Sequence, residues 1–241
     1  MKKLKLSVLV TLLAIGSSYT LTAQTADEII KKHVDAVGGW DNWKNIVSLK
    51  ETGVINFGGT EMPVVITIIN GKGNRMDMTI LGKANYMIIT PEKGWMYFPA
   101  QGQTKAEAMP DEQVKEQQDQ LDVTQDPLID YKTKGNKVVA LGKDDVEGTD
   151  CFKLKVTDKS GKETTVFLDA TTYNIIRTKE KAKANGKEVE SITNYTNYQK
   201  QPEGIIIPMS IESEDGPVTI KSVEVNKSLD VSIFKPAEEK K

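Results

Sequence analysis

The stretch from Gly73 to Pro99 limits the fold most severely. It reads GNRMDMTILGKANYMIITPEKGWMYFP, which divides into three short strands joined by tight turns. In the first, Met76, Met78 and Ile80 alternate with Arg75, Asp77 and Thr79, so one face is apolar and the other wet. The second, Asn85 to Thr90, is apolar on both sides. The third sets Trp95 and Tyr97 on one face, Met96 and Phe98 on the other. Between the last two, Pro91-Glu92-Lys93-Gly94 is turn chemistry. A sheet that is apolar on both faces needs cover, from a packed core, another protein or an apolar ligand.

The same grammar runs through most of the chain. Strands are expected near 47–57, 62–70, 73–81, 84–90 and 94–99, separated by Gly- and Asn-rich hairpin connections. Further strands are expected near 151–156, 164–169, 174–181, 189–199, 204–213 and 218–225. In the first of these, Phe152, Leu154 and Val156 alternate with Lys153 and Lys155. Sequential hairpins make an antiparallel meander. A sheet of about ten or eleven strands cannot stay flat and curls toward a barrel. The expected architecture is therefore mainly β: a partly closed antiparallel barrel with helices over its concave side.

Two helical segments stand out. Thr25-Ala-Asp-Glu28 is a capping box. The helix it opens carries Ile30, Val34 and Val37 on one face and stops at Gly38-Gly39. Trp40 and Trp43 follow and are expected to pack in the core. His33, the single histidine, is expected on the solvated side of the helix. Residues 101–130 are polar, with one helix expected near 111–121 in an otherwise mobile connection. That segment reads equally as a surface helix or as a lid. Residues 226–236 form a terminal arm anchored by Phe234, and 237–241 a disordered tail.

The opening MKKLKLSVLVTLLAIGSSYTLTA has the basic start, short apolar run and small residues of a secretory leader. Cleavage after Ala23 would leave a single domain over 24–236, exported and soluble. The chain has 32 Lys and Arg against 34 Asp and Glu. Losing Lys2, Lys3 and Lys5 with the leader makes the rest more acidic, which argues against nucleic acid and against a polybasic membrane patch. One cysteine, Cys151, forbids an internal disulfide. It is expected as a small buried or half-buried strand residue.

Chemistry-bearing patterns are missing from the sequence. It holds no Cys/His cluster for zinc or haem, no G-x-S-x-G elbow, no phosphate-cradling glycine motif and a single histidine. Acid pairs such as Asp144/Asp145 sit in turns. The expectation is a protein without a cofactor, a metal or a catalytic residue.

At the level of motifs the chain resembles a known family. The capped helix ends Val37-Gly-Gly-Trp40. A strand Gly94-Trp-Met-Tyr-Phe-Pro99 follows, and after the polar break come Val146-Glu-Gly-Thr-Asp-Cys-Phe-Lys-Leu154 and Thr165-Val-Phe-Leu-Asp169 with Thr172-Tyr-Asn-Ile175. The close runs from Val223-Glu-Val-Asn226 to Ser232-Ile-Phe234. This is similar to the outer-membrane lipoprotein-sorting proteins, the LolA-like periplasmic carriers. The resemblance implies an unclosed β-barrel with helices over its mouth and an apolar cavity. It implies a monomeric carrier that takes the acyl chains of a lipoprotein from an inner-membrane ABC transporter and delivers them to an outer-membrane receptor. It also admits an envelope sensor or interaction module that binds lipid or lipoprotein without transporting it. The resemblance carries over Trp95 and Tyr97 as cavity wall, and the candidate lining of an apolar cavity is Met76, Met78, Ile80, Tyr86, Ile88, Trp95, Tyr97, Phe152 and Leu154. Arg75 lies where relatives carry a basic residue, and no counterpart is found for the arginine that joins barrel to lid in the best-known carriers. Met62, Met76, Met78, Met87 and Met96 crowd one half of the sheet, and unbranched Met adapts to flexible chains.

Overall fold

The structure, a computed structural model, describes residues 24–184, 187–214 and 216–237. The expected leader (1–23) and the tail beyond Ala237 lie outside the described residues.

The chain opens with α1 (Ala26–Ala36) and the single turn α2 (Trp40–Trp43). Five strands follow: β1 (Ser48–Phe57), β2 (Thr60–Ile69), β3 (Gly73–Ile80), β4 (Lys83–Ile89) and β5 (Gly94–Tyr97). The two-residue β6 (Glu107–Ala108), α3 (Asp111–Glu116), a 3-10 turn over Gln118–Leu121 and α4 (Tyr131–Lys134) make the mid-chain segment. The second run of strands is β7 (Lys137–Val146), β8 (Thr149–Thr157), β9 (Glu163–Asp169), β10 (Ile175–Ala184), β11 (Lys187–Lys200), β12 (Ile206–Ser213) and β13 (Gly216–Val225). A 3-10 turn at Val231–Phe234 ends the arm.

All thirteen strands form one antiparallel sheet in the order β6-β5-β4-β3-β2-β1-β13-β12-β11-β10-β9-β8-β7. Two meanders are thus joined where the first strand meets the last, with Leu49 opposite Val225. The outermost strands, β6 and β7, do not pair with each other, so the barrel is unclosed.

Two of the thirteen strands were not expected from sequence. In β7 the alternation is broken by Gly142 at positive φ and by a register shift between Ala140 and Lys143, so Leu141-Gly-Lys-Asp-Asp145 imitates a turn. The ladder with β8 supplies what local pattern lacks. β6 is too short to show a period.

One face of the sheet, called inner here, carries α1 and the mid-chain segment. The capping box forms as expected, with Glu28 N donating to Thr25 Oγ1 and Thr25 N to Glu28 Oε2. From α1, Ile29 and Ile30 pack with Leu128 onto Phe152, Leu154, Val156, Val166, Leu168 and Ile175. Next to them Val37, Trp43, Ile46, Val123 and Ile129 pack onto Leu49, Ile68, Ile205, Ile207, Met209 and Ile220. Farther along, Val114, Met109 and Leu121 sit on Ile89, with Met87 and Met96 against them. The mid-chain segment is therefore core-forming, where sequence led to a mobile connection. The expected single helix breaks into α3 and a 3-10 turn. Its few apolar residues are spaced too widely to show a helical period, yet each is buried.

At the α1 terminus, the backbone of Gly38 (φ +109) lies so close to Gly204 and Ile205 that a Cβ would collide with them. That approach lets Ile206 N reach Val37 O at 2.9 Å. Of the tryptophans beyond it, Trp43 is buried and donates to Val37 O at 2.8 Å. Trp40, expected in the core as well, is 44% exposed. Trp43 needs the interior for its ring, and the one-turn α2 turns Trp40 away from it.

The outer face has its own cover. Phe234 is buried against Tyr86 and Ile88, with Ile69, Trp95, Tyr97 and Ile233 around it. Its ring lies directly over Gly73. Ala237, expected in the tail, donates to Tyr86 Oη at 3.2 Å. Cys151 is buried beside Val146 and Phe167, as expected. Burial raises its thiol pKa to about 11, so it stays a protonated core residue.

Candidate functional site

The register decides which face each candidate residue serves. Directly opposed residues on antiparallel strands share a face. Glu51 lies opposite Ile66, Ile66 opposite Met76, Met76 opposite Met87, and Met87 opposite Met96. This row is on the inner face, because Met87 and Met96 pack against α3. The neighbouring row runs Gly53, Val64, Met78, Asn85 on the same face. The opposite face carries Thr67, Arg75, Ile88 and Trp95 in one row and Asp77, Tyr86 and Tyr97 in another.

The nine expected cavity residues thus separate into three groups. Met76, Met78 and Ile80 lie on the inner face, half-buried, and belong to none of the buried clusters among the described residues. Phe152 and Leu154 also face inward, but α1 covers them. Tyr86, Ile88, Trp95 and Tyr97 are on the outer face beneath the terminal arm. Both faces of β4 and β5 are apolar, so periodicity shows that the faces differ without showing which is inner. The residue that settles it, Phe234, is remote in sequence. Arg75 belongs to the same outer cluster. Its guanidinium bonds Asp77 Oδ2 at 2.8 Å and Ile233 O at 2.9 Å and sits over the Tyr86 ring at 4.6 Å. Arg75 fastens the terminal arm.

The inner face beyond those clusters thus carries an apolar, methionine-rich patch of half-buried Met62, Met76, Met78 and Ile80 around the buried Val64. Met62 shares the face, two residues from Val64 along β2. The mid-chain segment borders this patch and is pinned by polar contacts. Gln125 Nε2 reaches Glu51 Oε1 at 3.4 Å. Lys162 bridges Asp119 at 3.0 Å and Glu180 at 2.9 Å. Val123 N donates to Asn70 Oδ1 at 3.2 Å.

His33 makes the firmest pin. It is fully buried, not solvated as expected from sequence. Its Nδ1 lies 2.7 Å from Tyr173 O and its Nε2 2.8 Å from Asp126 Oδ2. A carbonyl can only accept, and a carboxylate can only accept, so both ring nitrogens donate and the ring is an imidazolium. Burial pushes the His33 pKa down, but the Asp126 carboxylate and the two hydrogen bonds outweigh it and hold the pKa above its ordinary value. Burial likewise pushes Asp126 up, and the charge of His33, its hydrogen bond, Leu128 N and Lys134 pull the carboxyl below the usual range. One buried pair therefore joins α1, the mid-chain segment and the β9–β10 turn. Nothing local marks His33 for this role, since Asp126 and Tyr173 are distant in sequence.

Glu51, which sequence reasoning passed over, is the other unusual group. It is 6% exposed, and burial raises its pKa to about 7 against a weak opposing bond from Gln125. A lone acid inside a strand carries no signal without its register.

At the other end of the mid-chain segment is a cleft of about 440 Å³, lined by Trp43, Ile46, Leu121, Val123, Lys44 and Lys134 among others. Among the described residues no helix is long and apolar enough to cross a membrane, and no group of three His, Cys, Asp or Glu is placed to hold a metal ion.

Comparison with known proteins places this geometry in context. No protein-family model matches the chain, and no curated protein matches it. Solved structures do. A putative outer membrane lipoprotein-sorting protein domain from Vibrio parahaemolyticus is similar over 86% of this chain and 94% of its own, with TM-score 0.50 and 15% identity. A LolA superfamily protein from Nitrosomonas europaea is similar over 88% and 98%, with TM-score 0.56 and 11% identity. A DUF1329 family protein from Desulfovibrio piger is similar over 86% and 97%, with TM-score 0.51 and 16% identity. The thirteen-stranded unclosed sheet with helices on its inner face is a LolA-like fold.

Proposed function

We propose that this protein is an exported carrier that shields the acyl chains of a lipoprotein or other lipid on the inner face of its open barrel. The observation that supports it most is the patch of Met62, Met76, Met78 and Ile80, inward-facing yet claimed by no core cluster. An inner face built only for stability would be filled there as it is under α1. The energetics suit the role. Transferring a saturated chain from water gains ~0.8 kcal/mol per methylene, so about fifteen methylenes gain on the order of 10 kcal/mol. The cargo must lie on the patch and, for a longer chain, displace part of the mid-chain segment.

Titration with a fluorescent fatty acid tests this. Met78→Glu puts a charge on the patch and abolishes saturable binding, while Thr79→Glu, on the exposed opposite face of the same strand, leaves it intact. Equal binding by both variants, each folded by circular dichroism, refutes the reading.

A second reading keeps the ligand and drops the transport. The inner face under α1 is closed by residues that are essentially inaccessible, among them Leu128, Leu154 and Leu168. This suits a module that senses lipid at a limited patch. Transfer of labelled lipid between two vesicle populations separates the two: a carrier accelerates it, and a sensor binds without doing so.

A further inference from the structure

Glu51 is a carboxyl in an apolar setting. Its cross-strand neighbours are Ile66 on β2 and Val223 on β13. Along its own strand and on the same face stand Leu49 and Gly53. Its hydrogen bond is the 3.4 Å contact from Gln125, a residue in left-handed backbone that is itself solvent-exposed. The inward-facing positions of β1 to β5 supply one basic residue, Lys83, and its Nζ donates to Pro99 O at 3.1 Å. The nearby basic side chains of β1 and β3, Lys50 and Arg75, face outward and are engaged by Glu224 and Asp77. Asn85, the other buried polar side chain bordering the patch, is satisfied by Lys83 O at 2.7 Å and Ala100 N at 3.4 Å. Among the described inward-facing polar side chains of β1 to β5, buried Glu51 is thus held by one long hydrogen bond.

Its position is as telling as its bonding. Glu51, Ile66 and Met76 stand side by side across three strands, so the carboxyl lies about 10 Å from the methionine patch by strand spacing. Leaving a carboxyl unpaired in such a place destabilises the fold, and such groups gather at binding sites. Gln125, whose side chain makes that bond, is solvent-exposed, so an incoming donor takes the place of a single long hydrogen bond.

We propose that the inner face selects amphiphiles whose polar end is an ammonium, with the alkyl chain on Met76, Met78 and Ile80 and the ammonium bonded to Glu51. This rests on the carrier reading of the same face and adds a head-group preference to it. An anionic head placed against the same carboxyl is repelled, and a neutral glycerol head is tolerated.

Calorimetric titration at pH 8, below micelle-forming concentrations, tests it with dodecylamine, dodecanoate and monolauroylglycerol. The protein is expressed from the full coding sequence and purified without detergent. The expected result is dodecylamine binding at least about tenfold tighter than dodecanoate, the scale of one close charge pair in a poorly solvated site. Glu51→Gln brings the two within about threefold of each other and leaves monolauroylglycerol unchanged. Glu51→Asp, which keeps the charge, retains the preference and serves if the glutamine variant fails to fold. Absence of a preference in the natural protein, or a preference that survives Glu51→Gln, overturns the head-group assignment alone. Failure of all three amphiphiles to bind overturns the carrier reading together with it.

Discussion

Glu51 and His33 are both buried and titratable, and their environments treat them in opposite ways. His33 has gained a carboxylate partner. Its raised pKa means that its contribution to stability is full below pH 6.5, its ordinary pKa, and is lost as pH rises through the folded value. Asp126, with a lowered pKa, contributes above pH 3.8 and loses that contribution as pH falls. The pair is therefore strongest in mildly acidic solution. Glu51 has gained almost nothing. With its pKa moved from 4.5 to about 7, the folded state holds a proton the unfolded chain releases, so stability declines as pH rises from 4.5 to 7 and stays low above that. The full decline is on the order of 3 kcal/mol. Urea unfolding of Glu51→Gln between pH 4 and 8 should lack this decline, making the variant more stable than the natural protein at pH 8. His33→Gln strands the Asp126 carboxylate, and in the same assay should cost about 3–5 kcal/mol at pH 6. A variant within 1 kcal/mol of the parent contradicts the imidazolium pair.

Among the elements, the hairpins were legible because a turn such as Pro91-Glu92-Lys93-Gly94 and an alternation such as Phe152 to Val156 are local signals. The capping box of α1 is local as well. What was not legible depends on partners far along the chain. β7 is a strand because β8 pairs with it through a register shift. The segment around Val123 to Ile129 is core because the inner face lies beneath it. The aromatic strand β5 reads as cavity wall until the terminal arm covers it. That arm yields its own prediction. Phe234→Ala removes the ring that fills the groove above Gly73 and should cost about 3–5 kcal/mol. Gly73→Ala should weaken the same seat from below, because its Cβ enters the space of the Phe234 ring. Protease protection of the Val231–Phe234 segment should fall in both variants. Unchanged protection would mean that the arm is held elsewhere.

For the molecule as a whole, the candidate site was half legible. The methionine cluster is visible in sequence, and Met76, Met78 and Ile80 do share the inner face. Phe152 and Leu154, the other inward-facing candidates, lie in the half of the face that α1 and the mid-chain segment occupy. A large open sheet must fill or lend its inner face, and this one fills most of it and leaves the methionine patch half-buried. The most direct test is photo-crosslinking with a fatty acid that carries a diazirine near the end of its chain, followed by peptide mapping. The account predicts label on Met62, Met76, Met78 or Ile80, competed away by unlabelled fatty acid. Label confined to the outer-face groove of Tyr86, Trp95 and Phe234, or no competable label on a folded protein, would contradict it.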